Sequence, residues 1–272
     1  MSQNGHHLPF LTSLDFSYNA QEEPKLAVDG FTNFTYPNGD TYQGDMVGGK
    51  RQGRGTYLEH ATGNTYEGDW KADLRHGKGI LTTGASDFLY DGDWVDDKRT
   101  GRGHCTIRGR ETYTGKWLNN KFHGQGKYCN AEGHVYDGEW VNGRKEGAGT
   151  MRKLDGEMYV GEWKAGVRNG TGQCTYADGS LVYAGEWIDG KRGGEGTLMS
   201  TKTNEKFEGM WLEGMKHGWG TQICAIGDVK EGEWYQDKPK DGEWKITYSN
   251  GDQFVGKKEA CLDRYGMASS RI

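Results

Sequence analysis

Tyr66-Glu67-Gly68-Asp69-Trp70, followed by Leu74-Arg75-His76-Gly77-Lys78-Gly79, is the stretch whose reading decides the fold. Its opening pattern, Tyr-x-Gly-x-Trp, begins at Tyr42 and returns at Tyr66, Tyr90, Tyr113, Tyr136, Tyr159, Tyr183 and Phe207. Degenerate copies follow at Lys230 and Phe254, and the spacing is 23 or 24 residues throughout. A fixed period of this size marks an array of identical supersecondary units. Such an array presents a long repetitive surface in place of one deep cleft.

With the Tyr counted as position 0, positions 0, 2 and 4 share one face of a strand, because side chains alternate with period two. A second strand is expected to follow, with Gly at positions 11 and 13 and usually a larger residue at 15. Two strands and a turn make an antiparallel hairpin. If paired positions sum to 15, Tyr faces position 15, Gly faces Gly, and Trp faces the first Gly of the Gly-x-Gly pair. Position 3 then faces position 12, which sets Asp45 against Arg54, Asp69 against Lys78 and Asp93 against Arg102, while Glu186 against Glu195 breaks the pattern. The glycines leave slots for rings to lie flat, as glycine within a strand often signals. Asn38-Gly39, Asp155-Gly156, Asp178-Gly179 and Asn250-Gly251 mark reversals between hairpins.

The fold expected is therefore all-β: an elongated repeat array of about ten β-hairpins forming one long twisted antiparallel sheet. The array is read over residues 31–258, with its last two repeats degenerate. Residues 1–30 form an N-terminal segment that includes a degenerate half-repeat from Tyr18, and residues 259–272 form a C-terminal tail.

Composition agrees with this reading. Hydrophobic residues are only 33% of the 272, yet aromatics are 12% and glycines number 46. Rings stacked on small neighbours bury much apolar area from few residues. The net charge of −5 leaves no footprint for nucleic acid. Five cysteines without a Cys-x-x-Cys point to a reducing, cytoplasmic compartment. No apolar run approaches the ~20 residues a membrane helix needs, and no signal peptide or lipidation motif is recognised. The terminal Ser270-Arg271-Ile272 is a distant variant of a peroxisomal address, and the sequons at Asn33 and Asn169 read as chance.

Tyr66 to Trp70 with Arg75 to Gly79 after it resembles a MORN repeat (membrane occupation and recognition nexus), and the resemblance covers about residues 36–258. Chains of similar layout include radial-spoke-head proteins of cilia and MORN scaffolds of protist cytoskeletons. The resemblance implies a scaffold, and the family is also linked to phosphoinositides. Met46, Lys230 and Lys258 depart from the aromatic position, and Asp241 and Tyr265 from glycine positions.

Sites of other kinds read as structure. Gly44 to Lys50 has the Gly-x-x-x-x-Gly-Lys spacing of a phosphate loop, but Arg51 follows where Ser or Thr is needed; Gly185 to Lys191 repeats the coincidence. His76, His123 and His217 share position 10 and read as turn residues bonding to backbone, too far apart to share a metal. Cys105 and Cys174, both at position 15, read as small core residues. No nucleophile–base set stands out, so no enzyme, metal or cofactor is expected.

Two surfaces remain. Basic residues recur at one hairpin edge, among them Lys50, Arg51, Lys98, Arg99, Arg144, Lys145, Lys191 and Arg192, a ridge able to meet anionic lipid unless nearby acids neutralise it. In the eighth repeat the outward pair becomes Met210 opposite Trp219, on a face that is otherwise hydrophilic. Exposed Trp and Met suit a protein interface, and the alternative is an aromatic pair covered by the C-terminal tail. The function expected is a non-catalytic cytoskeletal scaffold with ciliary protein partners, most concretely a radial-spoke-type component of the axoneme, with a two-fold dimer as the default oligomer. The alternative is a membrane adaptor binding phosphoinositides through the ridge.

Overall fold

The computed structural model describes residues 29–84 and 87–257. The half-repeat at Tyr18, the tail, Lys258, Cys261, Tyr265 and the terminal tripeptide lie outside the described residues. The described residues are all-β, a single open antiparallel sheet of 21 strands in a hairpin array, with no helix among them. The chain divides into two compact units, Met1–Gly147 and Ala148–Ile272.

The repeat of Tyr66 shows how the sequence makes a hairpin. Strand Thr65–Lys71 turns through Ala72 and Asp73 into strand Leu74–Thr83. Both turn residues have positive φ, 48° and 72°. That is the two-residue turn whose twist matches the strands it joins. Equivalent pairs occupy positions 6 and 7 elsewhere: Gly48-Gly49, Asp96-Asp97, Asn119-Asn120, Asn142-Gly143, Ala165-Gly166, Asp189-Gly190, Glu213-Gly214 and Gln236-Asp237. The glycines of the links between hairpins, Gly39, Gly156, Gly179 and Gly251, also have positive φ, as their reversals require.

Pairing begins as expected, with Tyr66 opposite Leu81 and Gly68 opposite Gly79. Beyond the glycines the register shifts, and Trp70 faces Arg75 rather than Gly77. The expected sum of 15 therefore holds only over half of this hairpin, and likewise in the hairpins of Tyr42, Tyr90, Tyr113, Tyr159, Tyr183 and Phe207. A two-residue turn forces positions 5 and 8 together, a sum of 13, so the second strand must bulge in between. Gly77 takes up that bulge at φ 60°, as do Gly53, Gly101, Gly124, Gly170, Gly194 and Gly218 at positive φ in their own repeats.

The expected Trp–Gly and acid–base pairings form between repeats instead. Gly53 faces Trp70, and Arg54 faces Asp69. Gly77 faces Trp94, and Lys78 faces Asp93. Arg54 and Asp69 form an ion pair of 3.8 Å, and Lys78 pairs closely with Asp93. Within its own repeat the carboxylate serves the bulge: Lys78 N–H donates to Asp69 Oδ2 (2.8 Å), and Arg102 N–H to Asp93 Oδ2 (2.7 Å). Glu195 N–H likewise donates to Glu186 Oε1 (3.1 Å), which accounts for the two glutamates that broke the pattern.

The core is a ladder of rings on the glycine-paved face. Tyr42, Tyr66, Tyr90, Tyr113 and Tyr136 alternate with Trp70, Trp94, Trp117 and Trp140 in the first unit, edge to face, at centroid distances of 4.9–5.8 Å. Tyr159, Trp187, Tyr183, Trp211, Phe207 and Trp234 continue the pattern in the second unit. Each such pair adds about 0.5–1.5 kcal/mol beyond area burial. The polar tips are used as well. Tyr90 Oη donates to Asp93 O (2.9 Å), at the position where the register breaks, and Trp94 Nε1 donates to Gly79 O (3.0 Å) in the preceding repeat.

The degenerate ninth repeat is repaired by a register slip. Lys230 stands where an aromatic belongs and pairs with Ile246, one residue beyond the usual partner. The slip brings Trp244 onto Gly232, where its ring lies 5.6 Å from that of Trp234.

Candidate functional site

The basic edge divides into two rows. Strand alternation from the turn sends position 8 to the open face and position 9 to the aromatic face. Lys50, Lys98, Arg144 and Lys191, at position 8, are exposed. Arg51 and Arg99, at position 9, are 7% and 4% exposed, and Lys145 and Arg192 are half-buried. The Arg51 guanidinium lies 4.1 Å from the centre of the Trp70 ring, and that of Arg192 4.3 Å from Trp211. Lys145 Nζ sits 5.0 Å from the Tyr136 ring. Arg51 N–H and Nε–H both donate to Asp73 Oδ1, and Arg75 repeats this with Asp97. Position 9 is thus a roof over the next repeat's Trp, tied to its turn. Burial pushes the Lys216 ammonium pKa below its ordinary value at the same position. Phe122 holds position 9 in the repeat of Tyr113 and stacks on that ring at 3.7 Å.

The four position-8 cations stand beside exposed aliphatics. Val47 faces Lys50, Val95 faces Lys98, and Ile188 faces Lys191 across the hairpin end. Val141 occupies the matching position beside Arg144 in its repeat.

Met210 and Trp219 both lie on the open face, 41% and 61% exposed. They are not opposite each other. Met210 faces Glu195, and Trp219 faces Glu233. Exposed Leu212 shares the Met210 face of its strand, and Ile188 and Tyr235 occupy the same position in the neighbouring repeats.

The remaining residues singled out in the sequence serve the fold. Gly44 to Lys50 runs through a strand and its turn into the strand Lys50–Leu58, with no helix to hold a phosphate. The position-10 histidines are strand residues rather than turn residues: His76 faces Asp69, His123 faces Lys116, and His217 packs on Tyr235 at 5.2 Å. Cys105 and Cys174 are fully buried, and burial pushes the Cys105 thiol up to about 12. Among the described residues no His, Cys, Asp and Glu gather with a metal-binding arrangement, and no helix is long and apolar enough to cross a membrane.

Glycine-paved hairpins with a Tyr–Trp ladder and a basic roof define a β-hairpin repeat protein. The model of the MORN repeat matches residues 42–58, 66–84, 90–108, 113–135, 136–158, 159–181, 183–202 and 207–229, more than half of the chain, and the chain belongs to that family. MORN-repeat proteins are generally non-catalytic scaffolds that bind proteins or membranes. None of the curated proteins compared with the chain matches it. Among solved structures, the wild-type TCP10 domain of Danio rerio CPAP is similar over 84% of this chain and 95% of that one, with 10% identity and a TM-score of 0.27. The G-box domain of the microcephaly protein CPAP aligns over 84% and 98%, with 11% identity and a TM-score of 0.26. Catalytically inactive virginiamycin B lyase from Staphylococcus aureus aligns over 86% and 87%, with 10% identity and a TM-score of 0.14. At such TM-scores these likenesses carry no argument.

Proposed function

We propose that this chain is a non-catalytic scaffold of the cytoskeleton that assembles proteins in a ciliary axoneme in the manner of a radial-spoke component. In this reading its partner docks around Met210 and Trp219. The observation that carries the reading is the exposure of a tryptophan and a methionine at rung positions where the repeats of Tyr42 and Tyr66 hold an acid and a base and the others hold charged, polar or small residues. Large apolar side chains left in water are the usual anchors of protein interfaces. The tagged protein is expected to stay with detergent-extracted cytoskeleton and to leave only at high salt. Trp219→Ala with Met210→Asp should release it while circular dichroism stays unchanged.

A second reading, a membrane adaptor, is favoured by the position-8 row, where Lys50, Lys98, Arg144 and Lys191 each stand beside an exposed aliphatic. Release by mild detergent, with phosphoinositide vesicle binding lost on neutralising those four residues, would promote this reading over the first.

A further inference from the structure

The rungs that join successive repeats on the open face form a series. In the first unit Arg54 opposes Asp69 and Lys78 opposes Asp93 as ion pairs, and the next two rungs set Arg102 against Lys116 and Gln125 against Glu139. In the second unit the same rungs read Thr171 against Glu186, Glu195 against Met210, and Trp219 against Glu233. No cation stands on these three rungs, and each keeps one carboxylate: Glu186 and Glu233 on the acid's side, and Glu195 on the cation's side, opposite Met210. Glu233 recovers a partner in Lys240 (2.6 Å), but Glu186 and Glu195 form no ion pair among the described residues. Between and beside these carboxylates stand the exposed side chains of Ile188, Met210, Leu212 and Trp219.

We infer that this face of the second unit binds a basic, apolar polypeptide segment whose Lys or Arg occupies the place of the missing rung cation. The inference rests on the proposed docking role of Met210 and Trp219 and adds the chemistry of the partner. An incoming ammonium or guanidinium meets two carboxylates without an ion-pair partner among the described residues, Glu186 accepting only the Glu195 N–H, and its aliphatic stem runs along Met210. A guanidinium can also stack on Trp219, the preferred ring for a cation. Anionic lipid and nucleic acid are excluded as occupants, because phosphate would face Glu186 and Glu195. Charge complementarity of this kind selects the partner and speeds encounter more than it adds affinity, so the apolar contacts must supply the anchoring.

The test is fluorescence anisotropy of labelled synthetic peptides with the full chain. The probe alternates Lys and Leu, and the controls replace Lys by Glu or Leu by Ser. The Lys–Leu peptide is expected to bind most tightly, with affinity falling as salt rises. Glu195→Lys with Met210→Asp rebuilds a rung of the Lys78–Asp93 kind and should raise Kd about tenfold or more, as should Trp219→Ala. Both variants should melt like the parent chain, since the substituted side chains are exposed. Equal binding of the Glu–Leu peptide, or unchanged binding after the rung is rebuilt, overturns the inference. Co-purification from the source cell separates the two levels. If Trp219→Ala loses the cellular partner while rebuilding the rung leaves peptide binding intact, the docking site stands and its basic chemistry falls. If Trp219→Ala keeps the cellular partner, the docking site itself falls.

Discussion

Gly103→Ala adds one methyl group to the chain, and the ring ladder makes it expensive. A Cβ on Gly103 would lie 2.5 Å from Tyr90 Cε2 and Oη and 2.7 Å from Cζ. Ordinary carbon contacts sit near 3.5–4.0 Å, so the ring must lift by about 1 Å. It has nowhere to go. Tyr90 is fully buried, Trp94 and Trp117 each hold it edge to face at 5.1 Å, and its hydroxyl donates to Asp93 O at 2.9 Å. Overpacking alone costs about 1–3 kcal/mol, and losing the hydroxyl bond adds about 1 kcal/mol. The expected loss is about 3 kcal/mol, although Gly→Ala within a strand otherwise helps by about 0.5–1 kcal/mol. Urea unfolding followed by tryptophan fluorescence measures it, and a double-mutant cycle with Tyr90→Leu isolates the contact. In the Leu background the Ala substitution should be close to neutral. An equal penalty in both backgrounds would show that the ring is not the obstacle, and would refute the slot.

Gly115→Val should be at least as damaging, about 3 kcal/mol or more by overpacking, because its Cβ meets the partner strand's backbone, 2.5 Å from Gly126 Cα; thermal unfolding checks it. Arg99→Ala should cost about 1–2 kcal/mol through the lost cover of Trp117, whereas Lys98→Ala should stay within about 0.5 kcal/mol, and urea midpoints compare the two. Burial works to raise the Glu157 carboxyl, but hydrogen bonds from Arg168 and Lys153 outweigh it and hold the pKa below the ordinary value. Its stabilisation is therefore full above the unfolded pKa of about 4.3 and lost as pH falls through the depressed folded value; melting from pH 7 to 3 should show a shallower acid limb for Glu157→Gln. Burial raises the phenols of Tyr42 and Tyr159 to about 12. Their contribution holds below the unfolded pKa of about 10 and fades above it, so phenolate absorbance on alkaline titration should rise together with loss of the tryptophan signal.

Much of this architecture is legible in the chain. The period gives the hairpin, and Tyr66, Gly68 and Trp70 share a face because strands alternate. The glycine pair at 68 and 79 then leaves the slot in which the Tyr66 ring lies. The second half of each hairpin is harder to read, because alternation alone cannot reveal a change of register. The means to find it was present: Asn119-Asn120 and Asn142-Gly143 are two-residue turn signals, and a turn there cannot coexist with a sum of 15. The aromatic face of position 9 escaped because Arg and Lys read as solvated charge. Phe122, standing where other repeats carry Arg or Lys, was the one residue that marked the position as covered. The exposure of Met210 and Trp219 follows from alternation, but their true partners depend on pairing between repeats.

The same architecture limits where specificity can arise. The aromatic face is built by every repeat in nearly the same way, and its rings, glycines and roof residues are consumed by packing. A partner reading that face would find the same chemistry at each repeat. Positions whose side chains leave the ladder can vary without loss of fold: the hairpin-end residues at 5 and 8, and the open-face rungs at 3 and 12 and at 1 and 14. The rungs at Glu195–Met210 and Trp219–Glu233 are such departures, and they cost the fold little because a solvent-exposed rung pair contributes only about 0–1 kcal/mol. On the proposed reading, an array of this kind acquires a partner by abandoning a few cheap surface pairs. Its recognition sites are best sought where the charge pattern of the repeat is broken rather than where the repeat motif is strongest.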